Sequence, residues 1–139
     1  RVFTGVYPGL ATDAAPLLAA AMLCAGGESS IEEVIFERRF ACAEGFLRLG
    51  GRVFVAGRVL HIAPGGVLQG AVLQAPDLRG GAALVLAALA ARGESRISGL
   101  EYLDRGYAEL TGILAGLGAR IARETLPPAG NTKKTPAKN

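Results

Sequence analysis

Gly27-Glu28-Ser29-Ser30-Ile31 recurs 66 residues later as Gly93-Glu94-Ser95-Arg96-Ile97, and this repetition decides the fold. Likewise Leu49-Gly50-Gly51-Arg52-Val53 returns as Leu117-Gly118-Ala119-Arg120-Ile121 at an offset of 68, and Asp13 and Asp77, each before an Ala/Leu-rich run, lie 64 apart. A period near 65 residues is long for a solenoid unit and reads as one duplicated α/β module. In the first module the pattern predicts a strand over Val2–Tyr7 and a helix over Ala14–Ala25, with Asp13 as N-cap, Pro16 in the first turn and Gly26-Gly27 as the stop. A strand over Ser30–Ile35, a helix over Ala41–Leu49 halted by Gly50-Gly51, and a hairpin of Arg52–Val55 with Arg58–Ile62 follow. The order is β-α-β-α-β-β.

The second module predicts a strand over Ala71–Ala75, a helix over Gly80–Ala91 and a strand over Arg96–Leu100. A helix over Arg105–Leu117 follows, with Tyr107, Leu110, Leu114 and Leu117 at helical spacing, and a fifth element over Ala119–Arg123. Where a sixth strand belongs, the chain gives Leu126-Pro127-Pro128 and a polar, lysine-bearing tail, read as disordered over 126–139. The sequence thus divides into repeats of about 1–65 and 66–125, the second lacking its last strand.

The 139 residues carry a formal charge of +3, yet all three lysines (Lys133, Lys134 and Lys138) stand in the last seven positions. Ahead of Thr132, twelve arginines balance twelve carboxylates, so charge alone does not mark the body as a nucleic-acid binder. Cys24 and Cys42 fit neither a disulfide framework nor a metal-ligand spacing, and both read as small packed hydrophobes. His61 has no partner in triad order and reads as structural or exposed. The apolar runs Ala14–Ala25 and Ala82–Ala91 are shorter than the ~20 residues of a membrane span. Nothing near Arg1 resembles a signal peptide, and Arg1 is not an initiator methionine, so the sequence suggests a cytoplasmic protein cut from a longer one.

The chain has three aspartates, Asp13, Asp77 and Asp104. Asp13 and Asp77 open equivalent helices, and Arg39 and Arg105 match across the repeat. In α/β folds such strand-to-helix junctions gather ligands. The alternative is that the aspartates are helix caps worth about 1 kcal/mol each. In Pro76-Asp77-Leu78-Arg79-Gly80-Gly81 the glycines permit close backbone approach by an anion and Arg79 offers a planar fork for carboxylate or phosphate; a capped helix start with a solvated arginine is the competing reading. Phe36-Glu37-Arg38-Arg39-Phe40 is either a solvated charge cluster or one anchored to the core by its phenylalanines.

Four motifs taken together add a resemblance: Tyr7-Pro8-Gly9-Leu10-Ala11-Thr12-Asp13, Val34-Ile35-Phe36-Glu37-Arg38-Arg39-Phe40, Asp77-Leu78-Arg79-Gly80-Gly81-Ala82-Ala83-Leu84-Val85 and Asp104-Arg105-Gly106-Tyr107. Their order and spacing, over about residues 3–124, resemble the enolpyruvyl transferases, specifically the UDP-N-acetylglucosamine 1-carboxyvinyltransferases. The Asp-Arg-Gly-Tyr motif favours these over relatives that use shikimate phosphate. The resemblance implies an inverse α/β barrel whose domains each hold three β-α-β-α-β-β units, the final unit completed by a strand from the chain's N-terminus. It also implies transfer of the enolpyruvyl group of phosphoenolpyruvate to the 3-hydroxyl of UDP-N-acetylglucosamine, the first committed step of peptidoglycan synthesis, with no metal or redox cofactor.

Carried over by motif, Asp13 resembles the aspartate that contacts the sugar hydroxyl and serves as general base. Ile35 matches the position whose backbone meets the UDP-sugar. Arg39, Arg79 and Arg105 resemble arginines that hold phosphoenolpyruvate, Asp77 an acid implicated in proton transfer, and Tyr107 a packing residue. Arg38 departs from the family's usual asparagine, and the helix after Asp13 is richer in alanine. The family's Lys-Asn pair and mobile-loop cysteine have no counterpart here. The expectation is a C-terminal portion of the enzyme, inactive without the N-terminal remainder. The alternative is a non-catalytic module that binds a nucleotide sugar or a partner chain.

Overall fold

In the computed structural model, which describes residues 1–125, the duplication is visible in the backbone. The first module runs β1 (Val2–Phe3), a 3-10 turn at Thr12–Ala14, α1 (Ala15–Leu23), β2 (Ser29–Glu32), α2 (Ala43–Arg48), β3 (Val53–Ala56) and β4 (Val59–Ile62). The second gives β5 (Val72–Gln74), α3 (Leu78–Ala90), β6 (Arg96–Ser98), α4 (Leu100–Asp104) and α5 (Leu110–Gly116). Each opens with a β-α-β crossover between parallel strands, Val2 opposite Ile31 and Leu73 opposite Ile97, so the isoleucines that end the repeated motif hold equivalent places. In the first module β4 then pairs antiparallel with both β2 and β3, giving the sheet order β1-β2-β4-β3. These are two units of the inverse α/β barrel expected from the sequence, the second sheet having two strands among the described residues.

Helices α1 and α3 pack on each other, and their composition explains why they can. Both helices bury small residues, Ala15, Ala19 and Ala20 on α1 and Ala82, Ala83 and Ala87 on α3, while Gly80 and Gly81 of α3 lie against Pro76, Cys42, Ala75 and Leu103. Small side chains let helix axes approach closely. One core then spans both modules, with Ile31, Phe46, Leu49, Leu60 and Ile62 of the first meeting Leu73 and Leu84 of the second. Gly45 on α2 marks a close approach between the modules: a Cβ there falls 2.4 Å from a Leu84 methyl. A smaller cluster gathers Ala82, Val85 and Leu103, with Tyr107, Leu110 and Leu114 against it. Among the described residues no helix is long and apolar enough to cross a membrane.

Several elements differ from the sequence expectation. The strand predicted to Tyr7 stops at Phe3, because Gly5 donates its N–H to Leu10 and Gly9 donates to Val6, turning the chain and leaving Tyr7 exposed. The strand predicted to Ile35 stops at Glu32, since the Glu33 carboxylate accepts the N–H groups of Ile35 and Phe36 and folds them into a turn. The helix predicted over Arg105–Leu117 is two short helices. Between them Gly106 and Tyr107 both donate to the Leu103 carbonyl and Glu109 adopts a left-handed conformation at φ 54°, which interrupts the helical ladder. Ala119–Arg123 forms no strand, having no neighbour to pair with among the described residues. The tail predicted as disordered over 126–139 lies outside the described residues.

The cysteines separate. Cys42 is buried under the start of α3, as expected, and burial, with the Asp77 charge nearby, pushes its thiol up to about 12. Cys24, expected to pack, is instead exposed at the C-cap of α1, where the helix has already ended. Because the thiolate is the reacting species, an alkylating reagent near pH 8 should modify one thiol in the folded chain and two after denaturation. Mass spectrometry of the native reaction should locate the label on Cys24; rapid native labelling of Cys42 would contradict this packing.

Candidate functional site

The N-terminus of α3 is built as the sequence suggests in one respect and differently in another. Asp77 caps it, accepting the Gly80 N–H at 2.7 Å, while Leu78 and Arg79 form the first turn. Gly80 and Gly81 do not open the backbone to a ligand: both are buried, and a Cβ would come within 2.9 Å of Pro76 on the first and of Ala75 on the second. The glycines serve helix packing, so the anion-binding capacity here rests on Arg79.

Asp13 is not the N-cap predicted for α1. It lies inside the 3-10 turn and makes no capping hydrogen bond, because its carboxylate is engaged by two arginines. Arg39 approaches one oxygen at 3.4 Å and Arg79 donates to the other at 3.2 Å. A charge-assisted contact outcompetes a neutral helix N–H for the same oxygen. Arg79 is in turn fixed by Tyr107, whose hydroxyl accepts from it at 2.9 Å and whose ring lies 5.6 Å beneath the guanidinium. Tyr107 therefore does more than the packing assigned to it by sequence. With Asp13 more than half exposed, these ion pairs add at most about 1 kcal/mol to stability. Their consequence is geometric, since Asp13 and Arg79 come from different modules.

Behind Arg39 stands a residue that sequence reasoning missed. Glu33 is 1% exposed and fully hydrogen-bonded. One carboxylate oxygen accepts from the Ile35 N–H at 2.7 Å, the Phe36 N–H at 3.0 Å and the Thr4 hydroxyl at 3.0 Å; the other accepts from the Thr12 hydroxyl at 2.7 Å. Thr12 then accepts from Arg39 Nε at 3.0 Å, and Arg39 lies 4.3 Å over the Phe36 ring. The alternation of β2 offered a signal for Glu33: it stands two residues beyond buried Ile31, on the same side of the strand.

Burial raises the Glu33 carboxyl pKa, but the hydrogen bonds from Phe36, Thr12, Ile35 and Thr4 together outweigh it and hold the group below its ordinary value of 4.5. For a carboxylate with a lowered folded pKa, stability is fully present above the unfolded value and is lost as pH falls through the folded one. Thermal melts should therefore lose midpoint steadily on acidification below about pH 4.5, and Glu33→Gln should flatten that acid limb while lowering the midpoint at neutral pH. An acid limb unchanged in the variant would count against the assignment.

These groups face a cleft of about 480 Å³ walled by Asp13, Phe36, Arg38, Arg39, Asp77, Leu78 and Arg79. Three guanidinium groups against two carboxylates give it a net positive wall, suited to an anion carrying more than one oxyacid group. Of the residues singled out by sequence, the structure gathers Asp13, Asp77, Arg39 and Arg79 here, with Arg38 beside them. Two stand apart. Ile35 is exposed and its N–H is committed to Glu33, and Arg105 is exposed at the C-cap of α4. Neither is part of the cleft wall. Asp104, beside Arg105, makes a two-pronged ion pair with Arg123 at 2.8 and 2.7 Å. Phe40 is buried while Phe36 is half-exposed, so only one of the two flanking phenylalanines anchors the charged segment in the core.

Comparison with known proteins places this geometry. A protein from Desulfofundulus thermocisternus named UDP-N-acetylglucosamine 1-carboxyvinyltransferase is 45% identical over 133 residues, 96% of this chain and 53% of the relative. One of the same name from Halalkalibacterium halodurans is 47% identical over 117 residues, 84% of this chain and 27% of the relative. The chain thus spans about half of the first relative's length and less of the second. Among solved structures, the enolpyruvyl transferase NikO from Streptomyces tendae superposes with a TM-score of 0.80 at 36% identity, over 91% of this chain and 30% of that one. EPSP synthase from Acinetobacter baumannii shares the fold, with a TM-score of 0.53 at 18% identity over 62% of this chain and 21% of its own. A family model described as EPSP synthase (3-phosphoshikimate 1-carboxyvinyltransferase) matches residues 2–114, and with the duplicated modules and their shared cleft it assigns the chain to the EPSP synthase family of enolpyruvyl transferases.

Proposed function

We propose that residues 1–125 are part of the catalytic domain of a cytoplasmic UDP-N-acetylglucosamine 1-carboxyvinyltransferase, completed by an N-terminal portion of the kind its longer relatives carry. The observation that carries the reading is the convergence of Asp13 and Arg39 from one module with Asp77 and Arg79 from the other on one positively walled cleft. The relatives named above support the choice of acceptor sugar.

In this reading Arg39 and Arg79 bind the carboxylate and phosphate of phosphoenolpyruvate, their fixed charges opposing the negative charge that builds during addition and elimination. Asp13 accepts the proton of the sugar 3-hydroxyl as its oxygen bonds to the enol carbon. As that bond forms the methylene carbon takes up a proton, and loss of a proton from the same carbon as phosphate leaves the enol carbon restores the double bond and gives the enolpyruvyl ether. Asp77 contributes to proton transfer with the oxygen that remains after capping, and Ile35 meets the nucleotide sugar through its backbone carbonyl. The family resemblance assigns Arg105 to the same anion, and it stands apart from the cleft wall, two residues before Tyr107, which grips Arg79.

Calorimetric titration with UDP-N-acetylglucosamine, then phosphoenolpyruvate, tests the reading on the chain alone and fused behind the N-terminal part of the Halalkalibacterium halodurans relative. Binding of both by the fusion supports it. A fusion that folds and binds neither overturns it.

A further inference from the structure

We propose that Glu33, acting through Thr12, is a positioning residue for Arg39 in phosphoenolpyruvate binding, an inference that rests on the function proposed above. The hydrogen-bond directions carry it. An ionised carboxylate only accepts, so Thr12, with a single hydroxyl proton, must donate to Glu33 at 2.7 Å. Its lone pairs are then turned toward Arg39, whose Nε–H they receive at 3.0 Å. The result fixes one edge of the guanidinium and leaves its Nη end directed at Asp13 and the cleft. Phe36 sets the plane of the same guanidinium, and the Phe36 N–H is itself held by Glu33. One buried acid thereby controls both the edge and the face of Arg39.

The choice of residue type points the same way. An ionised carboxylate is a costly group to bury, and packing alone would be served by an apolar residue beside Ile31. What an apolar residue cannot do is force Thr12 to present an acceptor to Arg39. The parallel arrangement at Arg79, which is gripped by the Tyr107 hydroxyl, shows two of the three arginines of the cleft held by an oxygen that does not itself line it.

The test compares Thr12→Val, Thr12→Ser and Glu33→Gln. In the 139-residue chain, hydrogen exchange of the Arg39 side-chain Nε–H, followed by NMR, should quicken about fivefold in Thr12→Val and Glu33→Gln and stay near wild type in Thr12→Ser. In the fusion with the N-terminal part of the relative, Thr12→Val should raise KM for phosphoenolpyruvate by about tenfold, with KM for the sugar nucleotide unchanged and Thr12→Ser restoring the wild-type value. Unchanged exchange in Thr12→Val, or equal losses in the Val and Ser variants, overturns the proposal. Thr12 is only half-buried, so its variants answer even where Glu33→Gln unfolds. A wild-type fusion that binds neither substrate would sink the functional reading, while the exchange comparison still decides the positioning role.

Discussion

Asp13→Ala is expected to lower the turnover of the completed enzyme by about 10²–10⁴-fold, the range a positioned general base supplies. The stability of the chain should scarcely change. Asp13 is more than half exposed, makes no capping bond, and its two ion pairs lie where solvent screens them. A thermal melt within a degree or two of wild type, alongside a loss of rate of that size, separates chemistry from folding. Asp104→Ala is the control: that carboxylate is also paired to an arginine, but at a surface away from the cleft, and its loss should leave the rate unaltered. Asp13→Ala turning over at the wild-type rate would remove the proposed base.

Gly70→Ala should produce the largest loss of stability of any single methyl addition, about 3 kcal/mol and a midpoint lower by roughly 10 °C. A Cβ at Gly70 would lie 2.1 Å from the Glu94 carbonyl oxygen and within 3 Å of that residue's backbone carbon and nitrogen. Backbone cannot rotate aside as a side chain can, and this backbone is held: Gly70 donates to the Arg92 carbonyl at 2.7 Å, and Gln69 bridges to Arg92. The contact lies at the entry to β5 and β6, so the change should loosen the second module's sheet. Gly26→Ala, where nothing lies within 4 Å, should stay within about 0.5 kcal/mol of wild type. Equal melting of the two variants would contradict the packing at Gly70.

The repeat was legible because it is local: Gly-Glu-Ser followed two residues on by isoleucine marks both β2 and β6. Duplication set Asp13, Arg39, Asp77 and Arg105 at matching junctions, and the cleft gathers three of these while leaving Arg105 apart; Arg79 was legible separately, from its place before the Gly80-Gly81 pair. What was not legible is the wiring between them. Arg79 reaches Asp13 across 66 residues, Thr4 reaches Glu33 across 29 and Arg79 reaches Tyr107 across 28, and no local period records such bonds. Asp13 carries the residue type of a helix cap, and only the arrival of two distant arginines diverts it. The helix predicted over Arg105–Leu117 fails differently. Tyr107, Leu110 and Leu114 do pack on one cluster, so the period named the right face, while the turn around Gly106 broke the continuity. A Cβ at Gly106 would meet a Leu78 methyl at 2.6 Å, close to the cleft wall, so the Leu78 side chain would have to shift.

The most direct measurement is phosphate release from phosphoenolpyruvate by the chain joined to the N-terminal part of its relative, with UDP-N-acetylglucosamine in one reaction and shikimate 3-phosphate in another. The account predicts sustained release with the sugar nucleotide, none above background with shikimate 3-phosphate, and loss of the former in Arg79→Ala. Release that depends on shikimate 3-phosphate, or that survives removal of Arg79 undiminished, would contradict it.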